Sequence, residues 1–65
     1  MTLDEWMTDQ RVTDAWLAER VGTDRSRISR IRRGLAVPSL RVAVEIERVT
    51  LGKVMAGALL PREAA

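Results

Sequence analysis

Sixty-five residues, 46% apolar and 31% charged, suit one folded domain near the lower size limit for folding without staples, and no apolar run approaches the roughly 20 residues a bilayer needs. The absence of cysteine and histidine removes disulfide scaffolds, thiolate nucleophiles, zinc sites built on those ligands and the commonest general base, so neither a metal nor a cofactor is expected. Net charge is only +2 but strongly segregated: residues 1–24 carry two arginines and six acids, residues 25–34 five arginines and no acid, and residues 35–65 four bases and three acids. That distribution suits a polyanion binder with one defined docking face.

Thr2-Leu3-Asp4-Glu5 is a capping-box pattern and predicts a first helix over about 3–10, with Leu3, Trp6, Met7 and finally Gln10 on one side. Trp6 reads as ordinary core. No basic stretch leads into an apolar run here, so no secretory signal is expected and the cytoplasm is the default location. Thr13 caps a second helix, Asp14 favours its first turn through the helix dipole, and Val12 is placed to staple onto Leu17. Leu17, Ala18 and Val21 face inward, and Gly22 ends the helix. Only Thr23 then precedes the next cap, Asp24, which is the spacing of a helix-turn-helix.

Asp24 to Gly34 reads D-R-S-R-I-S-R-I-R-R-G. Asp24 can accept the free N–H groups of a first turn, and Gly34 suits the left-handed residue that stops a helix. On a wheel of about 100° per residue Ile28 and Ile31 face inward, Ser26, Ser29, Arg30 and Arg33 face outward, and Arg25, Arg27 and Arg32 lie on the flanks. Alone, such a run is equally a solvated helix face. Beside a helix-turn-helix spacing it fits the major groove, where arginine takes guanine O6 and N7 as a bidentate pair.

Pro38 forces an extended entry and Ser39 caps a fourth helix with Val42, Ala43, Ile46 and Val49 inward and Leu40 and Val44 on a second side. Gly52 breaks it. Lys53 to Leu60 can form a short fifth helix before Pro61, and Arg62 to Ala65 read as a frayed tail. Met55, Leu59 and Leu60 with Val44 make more apolar surface than so short a chain easily hides, which points to a dimer contact; the competing reading is that they close the monomer core. No repeat, linker or second domain is visible, so residues 1–65 are expected to form a single all-α domain.

The run T-D-A-W-L-A-E-R-V-G-T-D-R-S-R-I-S-R-I-R-R-G, followed by P-S and an apolar helix, resembles the phage repressor and Cro-type helix-turn-helix family. The resemblance spans nearly the whole chain. It implies a compact four- to five-helix, lambda-repressor/Cro-like fold, with the helix-turn-helix at about 13–33 and C-terminal helices at about 39–60. It further implies a dimer on operator DNA with the helix from Arg25 in the major groove. By position, base contacts fall to Arg25, Ser26 and Arg30, with Ser29 or Arg27 beside them, Arg33 meets a phosphate, and the start of the second helix around Thr13 lies on the backbone.

Four departures follow. The family commonly has glutamine where this chain has Asp14, and an acid beside a phosphate is repulsive, so Asp14 is expected to orient Arg25 or Arg27 by pairing. An acid is common where this chain has Arg32, and basic residues where it has Leu35-Ala36-Val37, so phosphate contacts are expected to move onto Arg32 and Arg33. Trp16 replaces a usual polar residue and is either a partner surface or peripheral core folded over a neighbouring helix.

The favoured function is a sequence-specific DNA-binding transcriptional regulator, a repressor acting as a homodimer on a palindrome. The alternative is an antitoxin or adaptor whose main partner is another protein, reached through Trp16 and the apolar C-terminus. A membrane-surface role is disfavoured because Ile28 and Ile31 make too narrow an apolar face. Enzymatic activity is disfavoured because the carboxylate pairs, Asp4 with Glu5 and Glu45 with Glu47, sit on helix surfaces of a chain too small for a cavity.

Overall fold

A polar side chain opens each of the first four helices. In the computed structural model, which describes residues 1–60, these are α1 (Leu3–Gln10), α2 (Asp14–Val21), α3 (Arg25–Arg32) and α4 (Leu40–Val49), followed by a short α5 (Ala56–Leu59). Pro61 and the expected frayed tail lie outside the described residues. Thr2 Oγ1 accepts from Glu5 N–H at 3.1 Å, Thr13 Oγ1 from Trp16 N–H at 3.0 Å, Asp24 Oδ1 from Arg27 N–H at 2.8 Å and Ser39 Oγ from Val42 N–H at 3.3 Å. Each bond satisfies a donor that the helix itself cannot. At α1 the box closes, because Glu5 Oε1 takes Thr2 N–H at 2.9 Å.

The turns end where the backbone goes left-handed. Gly22 has φ 75° and its N–H, with that of Thr23, returns to the Ala18 carbonyl; Gly34 has φ 76° after α3. Among the described residues two that are not glycine share that conformation, Arg11 at φ 57° and Leu51 at φ 55°.

One core joins the layers: Leu3, Trp6 and Met7 from α1, Leu17, Ala18 and Val21 from α2, Ile28 and Ile31 from α3, Val42, Ala43 and Ile46 from α4, and Val54. The wheel assignments for the first four helices hold, with two adjustments. Gln10 is exposed at the end of α1, and Val49 lies at the core's edge beside Val12. The larger correction is at the C-terminus. Residues 53–55 are not helical, because Thr50 Oγ1 accepts Val54 N–H at 3.1 Å and Glu47 Oε1 accepts Ala56 N–H at 2.8 Å. Those bonds hold a loop that drives Val54 into the core while Met55 stays exposed.

Arg41 is a structural residue that periodicity does not reveal. Its guanidinium donates to the Val21 carbonyl and the Gly22 carbonyl, both at 3.1 Å, capping the end of α2 from α4. The turn between α2 and α3 is thus tied to a helix that follows both.

Three outcomes test this fold. Arg41→Ala should lower stability by about 1 kcal/mol, the scale of a charge-assisted bond shared with solvent, read from the urea midpoint. Leu51→Gly should raise it by up to about 1 kcal/mol, since a left-handed β-carbon is costly and Leu51 is 89% exposed and loses no packing. The Glu5 carboxyl is held below its ordinary value by the Thr2 backbone N–H and then by its hydroxyl. The stability it contributes is therefore complete above the ordinary carboxylate range and lost as pH falls through the lowered value, and Glu5→Gln should flatten that acid limb of the urea midpoint.

Candidate nucleic-acid interface

Only two apolar side chains seat α3. Ile28 is fully buried and Ile31 nearly so, while Arg25, Ser26, Arg27, Arg30 and Arg33 are exposed and Ser29 is half-buried. Burying each isoleucine is worth about 2 kcal/mol, enough to dock a helix whose remaining surface prefers water. On α2, Leu17, Ala18 and Val21 are buried in the same core.

Arg25, Ser26, Ser29 and Arg30 border one open depression, whose remaining wall is Asp14 at the start of α2. The structure thus brings together four of the five expected base-reading residues; Arg27 lies outside this group. Thr13 is exposed at the cap of α2, its hydroxyl oxygen engaged by Trp16 N–H.

Arg32 behaves differently from the other arginines of α3. Its Nε donates to Asp4 Oδ1 at 2.8 Å and its Nη1 to Asp14 Oδ1 at 2.9 Å, and its side chain is only 20% exposed. The hydrogen bond to Asp14 is the main cause that holds the guanidinium above its ordinary value, opposed by burial and assisted by Asp4. Two expectations change. Asp14 pairs with Arg32, not with Arg25 or Arg27, because the flank of α3 that meets the start of α2 carries Arg32. Arg32, expected on a phosphate, has two of its donors committed inside the fold. Among the described residues Arg25, Arg27, Arg30 and Arg33 make no ion pair, so their charge is available to a ligand.

Trp16 is 37% exposed, with the Arg20 guanidinium 4.5 Å from its ring centroid. It borders a shallow groove with Trp6, Val12, Val49, Leu51 and Lys53, so it both covers neighbouring helices and shows a face to solvent. Of the residues expected at a dimer contact, Val44 and Met55 are exposed and Leu59 and Leu60 half-buried, with Leu40 exposed beside Val44.

A helix-turn-helix family model matches residues 10–50, more than half of the chain. The chain belongs to the XRE-type, Cro/C1-type helix-turn-helix family. It is a DNA-binding regulator of that family, which consists of regulatory DNA-binding domains and is not typically enzymatic. The matched segment takes in α2, the turn, α3 and α4, the elements that build and brace the arginine face. Comparison with curated proteins and with solved structures gave no match. Among the described residues no helix is long and apolar enough to cross a membrane.

Ile28→Ala should cost about 3 kcal/mol, the usual penalty for emptying a buried isoleucine site, and in so small a domain it should lower the thermal midpoint steeply. DNA added during the melt should recover part of the loss, because ligand binding to the folded state shifts the unfolding equilibrium.

Proposed function

We propose that this XRE-type protein is a cytoplasmic repressor that binds a palindromic operator as a homodimer, residues 1–65 acting as one unit. The observation that carries the reading is the arginine face of α3, where Arg25, Ser26, Ser29 and Arg30 border one open depression with Asp14, whose carboxylate pairs with Arg32, and among the described residues no carboxylate makes an ion pair with Arg25 or Arg30. Arg25, Ser26 and Arg30 read base edges in the major groove, with Ser29 or Arg27 beside them. Arg33 and the free N–H groups behind Thr13 hold the phosphate backbone and set register. A bound dimer acts by occupancy, blocking polymerase where operator and promoter overlap.

The exposed Val44 and Met55 and the half-buried Leu59 and Leu60 support a self-contact on the α4–α5 side. Truncation after Gly52 would remove the core residue Val54, so surface charge is the better probe. Val44→Asp and Met55→Asp should leave the fold intact, yield a monomer in sedimentation and weaken binding to a two-half-site operator far more than to one half-site. Unchanged mass at micromolar concentration would rule out this contact.

A second reading is favoured by Trp16 alone: its exposed face and groove support contact with another protein, as in an antitoxin or adaptor. Trp16→Ala would then abolish a one-to-one heteromer while leaving operator affinity unchanged.

Selection from a random duplex pool should enrich two half-sites about 10 base pairs apart, with affinity falling steeply as salt rises. Failure to enrich any sequence would overturn the operator reading. On the selected site Arg25→Ala or Arg30→Ala should cost about 1–3 kcal/mol and relax discrimination at one base pair, whereas Arg33→Ala should weaken all sequences alike.

A further inference from the structure

The apolar seat of α3 is narrow. Ile28 and Ile31 lie three residues apart, almost one above the other along the helix, and they are the only buried residues of α3. A seam of two contacts along the axis resists sliding better than rotation about that axis. Rotation is what a reading helix tolerates least: with side chains the helix has a radius of about 5–6 Å, so a turn of about 10° moves a surface group by about 1 Å. Recognition needs groups held within about 0.5 Å.

On the wheel Arg32 lies about 40° from Ile28 and about 100° from Ile31, at the edge of the apolar seam on the Ile28 side. From there its guanidinium spans two elements, Nε to Asp4 on α1 and Nη1 to Asp14 on α2. The backbone at both points is tied to the core, since Leu3, which precedes Asp4, and Leu17, one turn after Asp14, are both core residues. The planar fork of arginine can hold two carboxylates in set directions at once, which a lysine ammonium does not reproduce.

From this geometry we infer that Asp4, Arg32 and Asp14 form a clamp that sets the rotation of the reading helix, making Asp4 and Asp14 determinants of operator specificity without contacting a base. Asp4 then governs readout from α1, and the arginine least available to DNA is the one that aims the others. The inference rests on the proposal that Arg25 and Arg30 read bases.

The test uses the full chain, the selected operator and a random duplex of equal length, over a range of salt, at a temperature where circular dichroism shows every variant folded. Arg32→Lys retains a charge that would serve a phosphate but cannot reproduce the two-armed fork, and Asp4→Asn loosens one arm. Both should lower the ratio of operator to random affinity by roughly 5- to 10-fold, as for partial loss of a bidentate base contact, with the salt slope unchanged. Asp4→Asn added to Arg32→Gln should have no further effect on that ratio.

Three results overturn the clamp. In the first, Arg32→Gln is silent on the ratio yet flattens the salt slope by about one phosphate contact; in the second, the ratio holds while only the melting temperature falls; in the third, Asp4→Asn strengthens binding to all DNA, which is simple charge repulsion. If Arg25→Ala and Arg30→Ala each weaken operator and random DNA equally, the base-reading assignment itself has failed, whatever Arg32 does, and the clamp falls with it.

Discussion

The structure depends on keeping an eight-residue helix with four arginines, and a fifth in its cap, folded on a small core through two isoleucines. Ile28 and Ile31 are the buried apolar residues of α3, and apart from Arg32, which is held by two carboxylates, its arginines stay in water. Local chemistry therefore matters more here than in the other helices. The Asp24 carboxylate satisfies the first turn, Gly34 closes the last in a left-handed conformation, and the Leu35 N–H returns to the Arg30 carbonyl at 2.8 Å. The helix is stopped at both ends before packing is counted.

The arginines of α2, α3 and α4, with Arg33 in the cap of α3, divide into two kinds by what they touch. Arg32 bridges two carboxylates, Arg41 caps the carbonyls ending α2, Arg48 pairs with Glu45 along α4, and Arg20 lies over Trp16. These charges brace or decorate the fold. Arg25, Arg27, Arg30 and Arg33 have no ion-pair partner among the described residues and share one helix. A net charge of +2 thus understates the field at the arginine face, because the acids that balance it lie on other elements.

The C-terminal segment shows how a short chain extends its core. Thr50 is buried, and its hydroxyl takes the Val54 N–H while lying within 3.2 Å of the Glu47 carbonyl. Glu47 reaches over to cap α5, whose preceding residue, Met55, supplies no side-chain cap. Two polar side chains, Glu47 on α4 and Thr50 at its C-terminal cap, thereby order a loop that delivers Val54 inward, and the same ordering leaves Met55 facing solvent. One sequence run, V-M-A-G-A-L-L, serves both as core and as surface.

Much of this was legible in the residues themselves. Caps at Thr2, Thr13, Asp24 and Ser39, the stop at Gly22 and the 3.6-residue period of the apolar positions are short-range signals, decided within one or two turns, and they placed four helices and the arginine face. The roles of Arg32, Arg41 and Val54 were not legible, because each depends on a partner 9 to 28 residues away or on a loop held by side chains from another element. The basic residue at position 32, where the family resemblance favours an acid, and the acids at 4 and 14 were a signal, but pairing them requires knowing that α1 and the start of α2 meet the same flank of α3. Sequence determined which residues form the arginine-bearing helix and which of its faces is apolar, since both follow from local periodicity and capping. Tertiary structure alone decided which arginines remain free, because whether a charge is spent inside the fold depends on what packs beside it.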